Sequence, residues 1–305
     1  MAARTLPVEI VGVPDLTVDD DALLVIVGET AAGKTQLAVE LARALDGEIV
    51  GADSVQIYRG FDIGSGKPTA VELGGIAHHL LDVADPQEAF HAGRFVALAD
   101  AAIAEVRARG RLPIVCGGTY LWIKALVEGL VAAPPAPPEL RSEFQRLLAA
   151  HGSPDLHARL ITVDPLTAAR LHPNDAVRIV RALEVHALTG RPLSELHAAH
   201  RWEGRRHTAR TLRVERPRPA LEARIAARVD AMLARGLLDE VRGLLDAGHA
   251  EARAMRAVGY SEARACITGY LPEAELAAAI RRSTAVFARR QRTWLARADV
   301  TIIAR

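Results

Sequence analysis

The feature that most constrains this chain is an eight-residue segment, Gly28 to Thr35, that fits the pattern G-x-x-x-x-G-K-[ST]. An apolar run at 22–27 precedes it, and apolar residues at helical spacing follow it as far as Leu45. A strand, a glycine-rich loop and a helix in this order are typical of a phosphate-binding loop. The pattern predicts backbone N–H groups around an anion at the helix N-terminus, with Lys34 on a phosphate oxygen and the Thr35 hydroxyl on Mg²⁺.

The composition indicates a globular protein and leaves the partner open. Half of the 305 residues are hydrophobic. The 38 Lys+Arg nearly balance the 37 Asp+Glu, so the net charge does not indicate whether the protein binds nucleic acid. Cys116 and Cys266 lie far apart without a C-x-x-C, so neither a zinc site nor a disulfide framework is predicted. The first twenty residues lack the apolar core of a signal peptide, and no stretch approaches the roughly 18 apolar residues of a membrane span. We therefore expect a cytoplasmic protein that does not enter a membrane.

Two further predicted strands end in polar or small residues. The run 47–54 ends in Asp53 and Ser54, and the buried strand 112–116 is followed by Gly117-Gly118-Thr119. Ligands sit at the carboxyl ends of strands in a doubly wound sheet, so Asp53 is predicted to face the phosphate loop. The alternative is that Asp53 caps the next turn. No acidic residue closes the strand 112–116, which argues against an ordinary ATPase.

A proline-rich connector divides the chain. Four prolines between 134 and 138 cannot continue a helix, and from 139 to about 200 the signal is helical without strands. We predict an α/β protein, a phosphate-loop-containing parallel sheet core flanked by helices, with an all-helical inserted subdomain. The predicted parts are an N-terminal tail at 1–20, a core at 21–133 and 216–305, and an insertion at 134–215.

Basic residues cluster locally in this neutral chain. Arg178 and Arg181 share one helix face with Glu184, and this suits a solvated surface and a polyanion site equally. The stretch 201–218 contains seven arginines with Trp202 and His207, and a second basic stretch follows at 281–294. Such stretches are usually solvated surface, but they also suit RNA. These residues thus predict a phosphate-binding protein with localised positive charge. They do not by themselves predict which reaction it catalyses.

The ordered motifs over residues 22–297 resemble those of bacterial tRNA dimethylallyltransferases, the isopentenyltransferases that modify the adenosine beside the anticodon. The phosphate loop alone is shared by many families, whereas the ordered set is specific. Besides the loop, the matching segments are 53–58, 62–64 with 67–68, 78–80, 117–119, 175–185, 258–260, and 288–291 with 293–294.

The resemblance implies transfer of a dimethylallyl group from dimethylallyl diphosphate to the exocyclic N6 amine of that adenosine, with release of pyrophosphate. It implies that Asp53 accepts the proton of the attacking amine and that Thr119 positions the reacting groups. It also implies that Lys34 and Arg224 stabilise the charge of the leaving pyrophosphate. Mg²⁺ would bind at Thr35. The implied diphosphate-binding residues are Gly28, Glu29, Thr30, Ala31, Ala32, Gly33, Lys34, Thr35 and, as second choice to Arg224, Arg228.

The resemblance also implies a tRNA anticodon stem-loop as partner, with the target adenine flipped out of its stack. The implied tRNA-contacting residues are Asp53, Ser54, Val55, Gln56, Thr119, Arg141, Val177, Arg178, Ile179, Val180, Arg181, Arg256, Ala257, Val258, Gly259, Tyr260 and Ser261. We expect a monomer, since no coiled-coil pattern is present. Two alternatives stay open: a prenyltransferase of free adenine nucleotides, and a phosphate-loop kinase or NTPase. The insertion argues against the first, because a mononucleotide needs no such platform.

The chain departs from the family pattern at five positions. Glu29 stands where the family usually has proline, and a carboxylate beside a diphosphate weakens binding unless it points to solvent. Tyr120 and Trp122 replace a glycine and a tyrosine, which is predicted to narrow the isoprenoid channel. Ala285 and Ser261 replace an arginine and a lysine and remove two anion contacts.

Overall fold

The computed structural model describes residues 3–5, 10, 13, 16–131, 133–200, 206–296 and 300–305. These residues form two compact units, one from 1–127 and 206–305 and the other from 128–205. The strands are β1 Ala3–Thr5, β2 Thr17–Asp19, β3 Leu23–Gly28, β4 Gly47–Gly51, β5 His78–His79, β6 Leu112–Cys116, β7 Ala209–Glu215 and β8 Thr301–Ala304. The helices are α1 Lys34–Ala44, α2 Ala70–Leu73, α3 Ala92–Ala108, α4 Tyr120–Glu128, α5 Pro138–Val163, α6 Pro165–Ala168, α7 Ala176–Thr189, α8 Leu193–His200, α9 Arg218–Ala234, α10 Leu237–Asp246, α11 Tyr260–Ile267 and α12 Glu273–Leu295.

The first unit is built on a parallel sheet of six strands in the order β5-β4-β6-β3-β7-β8. Helices cover both faces, so every residue of β3 is buried. Leu23, Val25 and Val27 join the larger apolar cluster with α3 and α9–α12, whereas Leu24 and Ile26 join the cluster that contains α1. A continuous apolar run is typical of such a strand. The predicted α/β class with a parallel sheet core is confirmed.

In the described part of the second unit, at 128–205, all regular secondary-structure elements are helices. Leu156 and Leu160 of α5 pack against Ile179 and Leu183 of α7 to form its apolar core. The predicted insertion at 134–215 was too long at its C-terminal end, because Ala209–Glu215 pairs with β3 and β8 in the sheet of the first unit. The arginines of this segment concealed the strand. Arg213 is buried within it and is paired with Glu215 at 2.6 Å.

The predicted N-terminal tail at 1–20 is packed where it is described. β1 and β2 pair antiparallel, and Leu16 and Val18 are buried in the cluster that contains α1. Arg4 donates to the carbonyls of Leu45 at 2.8 Å and Gly110 at 2.6 Å. These residues are therefore part of the folded unit. In the described part of the chain, no helix combines the length and apolarity needed to cross a membrane.

Candidate active site

The phosphate loop lies between β3 and α1, at the carboxyl edge of the sheet. Gly28 has φ +155°, and a Cβ there would stand 2.7 Å from the carbonyl oxygen of Val214 on β7. Gly33 precedes α1 with φ +103°, and no side chain of the described residues caps this helix, although His91 caps α3 and Asp175 caps α7. The first N–H groups of α1 and its positive dipole end are thus open to an anion. Lys34 extends back over the loop and donates to the Glu29 carbonyl at 2.7 Å.

Two predicted arginines of α9 reach the loop region. Arg224 Nε donates to the Ala31 carbonyl at 2.8 Å, and Arg228 Nη2 donates to the Ser65 carbonyl at 3.1 Å. Burial lowers the pKa of Lys34 and of Arg228, and the negative charge of Asp53 opposes both shifts. The structure therefore brings Lys34, Arg224 and Arg228 together with Asp53 around the phosphate loop, a site whose cations outnumber its carboxylates.

Asp53 and Thr119 follow the neighbouring strands β4 and β6. Hydrogen bonds between Thr119 and the backbone on either side of Asp53 hold the two residues close to each other. The Thr119 hydroxyl accepts from Ser54 N at 3.1 Å, and Thr119 N donates to the Ala52 carbonyl at 3.2 Å. Asp53 Oδ1 accepts from the N–H groups of Val55 at 2.9 Å and Gln56 at 3.3 Å, which is the capping alternative. Its Oδ2 receives no hydrogen bond from the described residues. One carboxylate oxygen thus fixes the turn, and the other remains available at the site.

The last helix, α12, closes one side of the phosphate loop, which the sequence analysis did not foresee. Gln291 accepts from Thr30 N at 2.8 Å and donates to the Gly118 carbonyl at 3.1 Å, so it connects the loop to the end of β6. Arg292 forms a two-pronged ion pair with Glu29, whose side chain is 4% exposed. Glu29 neither points to solvent nor offers free charge to a diphosphate. Arg292 neutralises the carboxylate that the sequence analysis expected to weaken diphosphate binding, and the place of Glu29 among the diphosphate-binding residues of the loop stays a prediction.

The glycine-rich loop at 62–66 is held by two residues far away in the chain. Glu240 of α10 accepts from the N–H groups of Ile63 at 2.6 Å and Gly64 at 3.1 Å. The Tyr260 hydroxyl donates to Glu240 at 2.7 Å and accepts from Ser65 N at 3.1 Å. Burial and the neighbouring Glu240 raise the pKa of Tyr260. The Tyr260 side chain is fully buried, so its predicted contact with tRNA is wrong and its role is to position this loop.

The other predicted tRNA-contacting residues of the first unit differ in exposure. Arg256 is exposed beside Glu251, whereas Gly259 is buried. Ala257, Val258 and Ser261 are partly exposed. Only part of this segment therefore presents side chains at the surface.

Gln56, another predicted tRNA-contacting residue, lies against the glycine-rich loop at 62–66. It donates to the carbonyls of Ser65 at 3.3 Å and Gly66 at 3.2 Å.

In the second unit, α7 separates the predicted tRNA-contacting residues by face. Val177 and Arg178 are exposed, but Ile179 and Val180 are buried in the core of that unit, so the predicted tRNA contacts of these two side chains are wrong. Arg181 and Arg141 both face the buried Glu184, at 3.6 and 3.5 Å. A cleft of about 580 Å³ is lined by Arg170, Val177, Arg178, Arg181 and His197 among others.

Trp122 does not behave as the departure from the family pattern suggested. It is 6% exposed and lies in the core of the first unit, with its ring 4.8 Å from Phe95 and 5.3 Å from Phe90 between centroids. The indole therefore fills the space between α3 and α4. The narrowing of an isoprenoid channel by Trp122 stays a prediction, and the structure shows this side chain packed in the core.

The sequence matches one protein family and its members over most of its length. The model of the family "IPP transferase" matches residues 56–298, a range that begins after the phosphate loop. A tRNA dimethylallyltransferase of Sorangium cellulosum is 55% identical over 92% of this chain and 90% of the relative. One of Anaeromyxobacter sp. (strain Fw109-5) is 53% identical over 90% of this chain and 91% of the relative.

Solved structures agree with the sequence relatives. The tRNA isopentenylpyrophosphate transferase of Bacillus halodurans is 36% identical with a TM-score of 0.68, over 93% of this chain and 90% of the other. A eukaryotic dimethylallyltransferase acting on tRNA is 27% identical with a TM-score of 0.79, over 92% and 73%. On the family match and these identities, this chain belongs to the IPP transferase family.

Proposed function

We propose that this protein is a tRNA dimethylallyltransferase. It transfers the dimethylallyl group of dimethylallyl diphosphate to the exocyclic N6 amine of the adenosine adjacent to the anticodon and releases pyrophosphate. The observation that carries the proposal is the convergence of an uncapped phosphate loop, Lys34 and Arg224 with the free oxygen of Asp53 at one edge of the sheet. The names of its relatives, tRNA dimethylallyltransferases, support tRNA as the acceptor and dimethylallyl as the transferred group.

The proposed chemistry uses each group at a stated atom. The bond from the allylic carbon to the diphosphate oxygen breaks as the N6 nitrogen bonds to that carbon, and the electron pair of the broken bond stays with pyrophosphate. The loop N–H groups, Lys34 and Arg224 stabilise the charge that develops on this leaving group. Asp53 Oδ2 takes the proton that the amine loses, while Oδ1 keeps the carboxylate in place. Thr119 holds the neighbouring backbone at Ser54.

The residues of the loop fit a magnesium ion that is held largely by the diphosphate. Mg²⁺ keeps several waters and uses substrate phosphates with one or two protein oxygens. Thr35 lies in the first turn of α1, and no described residue makes a hydrogen bond to its hydroxyl. No group of three or more His, Cys, Asp or Glu suited to a metal occurs among the described residues. The ion would neutralise charge on the leaving group, with Thr35 as its protein ligand.

The tRNA contacts in the proposal come from two sets of residues, one in each unit. In the first unit they are Asp53–Gln56, Thr119 and the exposed part of 256–261. In the second unit they are Val177, Arg178 and Arg181, which line the cleft, and Arg141, which pairs with Glu184 as Arg181 does. We further propose a cytoplasmic monomer, which size-exclusion chromatography with light scattering tests.

A single assay separates the proposal from its two alternatives. The protein is incubated with labelled dimethylallyl diphosphate and Mg²⁺, with unmodified tRNA and AMP in separate tubes. Label in tRNA alone supports the proposal. Label in AMP means that the acceptor is a free nucleotide. ATP hydrolysis without label in either acceptor means a phosphate-loop NTPase.

The role of Asp53 is tested with the same assay. Asp53→Ala should abolish measurable transfer, because general-base catalysis is typically worth 10²–10⁴-fold, while tRNA binding in a filter assay should persist. Asp239→Ala is the matched control, since Asp239 is an exposed carboxylate that is paired with Arg242 and lies outside the site. Unchanged turnover in Asp53→Ala would remove this residue from the mechanism.

A further inference from the structure

Arg216, which no prediction from the sequence singled out, lies over the phosphate loop directly after β7. Its Nε donates to the Ala32 carbonyl at 2.7 Å. Its Nη2 stands 3.4 Å from the point where a Cβ on Gly33 would be, and Arg224 Nη2 stands 3.8 Å from the same point. Two guanidinium groups therefore lie beside Gly33, the residue that precedes α1, and each donates through Nε to a carbonyl of the loop.

The charge of this arginine pair is not balanced within the described part of the chain. No described carboxylate forms an ion pair with Arg216 or Arg224. By contrast, the neighbouring Arg213 is paired with Glu215 and Arg218 with Glu222. Burial, and then the positive charges of Arg224 and Arg305, lower the pKa of Arg216. Holding two guanidinium groups together without a counter-charge is unfavourable, so the arrangement favours an anion between them.

The geometry suits a phosphate group in particular. A guanidinium carries five N–H donors in a planar fork that matches phosphate oxygens. Within the described part of the chain, each arginine uses only Nε for its hydrogen bond to the loop, so the Nη groups remain for a ligand. These Nη2 atoms lie at the N-terminus of α1, where the helix dipole and the uncapped N–H groups already favour negative charge.

We propose that Arg216 is a further diphosphate-binding residue. Together with Arg224 it binds the pyrophosphate moiety on the side opposite the backbone of the phosphate loop. This inference rests on the proposed function for the identity of the anion as the diphosphate of an allylic donor. Arg216 holds the leaving group before transfer and the released pyrophosphate after it. Its loss weakens the binding of both.

The test measures the binding of inorganic pyrophosphate with Mg²⁺ by calorimetry, which needs no tRNA and no turnover. Arg216→Ala should raise the pyrophosphate Kd by about tenfold or more, since charge-assisted hydrogen bonds are the strong ones. KM for dimethylallyl diphosphate should rise in parallel. Arg218→Ala is the matched control, because Arg218 is exposed two residues further on and is paired with Glu222. Its pyrophosphate Kd should match that of the unmodified protein.

Arg216→Gln distinguishes anion binding from mere bracing of the loop. The glutamine amide can still donate to the Ala32 carbonyl but carries no charge. We expect Arg216→Gln to bind pyrophosphate as weakly as Arg216→Ala. Full binding by Arg216→Gln, or a Kd for Arg216→Ala within twofold of the unmodified protein, would overturn the proposal.

The outcomes separate this inference from the proposed function. If the unmodified protein binds pyrophosphate through Arg216 but transfers no label to tRNA, the proposed function fails and the assignment of Arg216 stands. If label reaches tRNA and the Arg216 variants bind pyrophosphate normally, the assignment fails alone. A protein that binds no pyrophosphate at all contradicts the assignment as well.

Discussion

The ion pair between Glu29 and Arg292 yields the sharpest quantitative prediction, because its two partners differ in exposure. The Glu29 side chain is 4% exposed and that of Arg292 is 43% exposed. Arg292→Met leaves a buried carboxylate without a partner, which costs about 3–5 kcal/mol for a fully buried pair. We reduce this to about 2 kcal/mol because water reaches the arginine side of this pair. Glu29→Met leaves an arginine that can turn to solvent, so its cost should be at most about 1 kcal/mol.

A double-mutant cycle measures the interaction directly. The four proteins are unfolded in urea at pH 7, and the double variant should cost about 1 kcal/mol, less than the sum of the single variants. The coupling is then about 1–2 kcal/mol. The exposed pair of Arg218 and Glu222, treated in the same way, is the control and should give less than about 0.5 kcal/mol. Arg292→Met should also raise the pyrophosphate Kd, because the uncompensated Glu29 lies in the phosphate loop, and Glu29→Met should reverse this.

The reasoning fails if the coupling lies within about 0.3 kcal/mol of zero, or if Glu29→Met costs more than Arg292→Met. The first result would mean that the pair contributes nothing beyond its separate side chains. The second would mean that the burial of Glu29 does not determine the energetics. Either would return Glu29 to the role of an unfavourable carboxylate beside the diphosphate.

Three further perturbations follow from the structure. Glu48 accepts a hydrogen bond from Arg109, which holds the pKa of the Glu48 carboxyl at about 2, below its ordinary 4.5. The ionised carboxylate therefore stabilises the folded state by about 1–3 kcal/mol above pH 4.5, and this contribution is lost as the pH falls towards 2. The gap in unfolding free energy between the unmodified protein and Glu48→Gln, measured in urea, should therefore shrink over that range, and a gap independent of pH would contradict this. Gly117→Ala would drive a Cβ into the Ala52 carbonyl and displace the ends of β4 and β6, so transfer should fall at least about tenfold, and normal kinetics would refute the close approach. Tyr260→Phe leaves an N–H of the 62–66 loop unsatisfied and should cost about 1–3 kcal/mol in urea unfolding, whereas a neutral effect would show that this hydrogen bond is dispensable.

The local parts of the site could be predicted from the sequence because their geometry depends on neighbouring residues. The run 22–35 specifies a buried strand, a glycine turn and a helix N-terminus through apolar periodicity and glycine conformations. Asp53 and Thr119 could be placed at the same edge because the carboxyl ends of parallel strands meet there. The resemblance to a family added roles to these positions and led to the α9 arginines Arg224 and Arg228.

Other elements could not be predicted because their character depends on partners distant in the chain. β7 carries arginines at positions that usually indicate exposed surface, and it became a central strand only because Glu215 and the two neighbouring strands satisfy it. Tyr260 belongs to a motif that suggested RNA contact. Its hydroxyl instead accepts from the backbone N–H of Ser65, 195 residues earlier in the chain.

The sequence by itself thus determined the fold class, the phosphate loop and the family, since each rests on periodicity or on motifs of consecutive residues. Only the tertiary structure decided which charges at the site are free to act. Among the described residues, it paired Glu29 with Arg292, left Arg216 beside Arg224 without an ion-paired carboxylate, and left one oxygen of Asp53 without a hydrogen bond. The physical reason is that the strength of a charge depends on its burial and on its nearest opposite charge. Both are set by residues that are distant in sequence and adjacent in space.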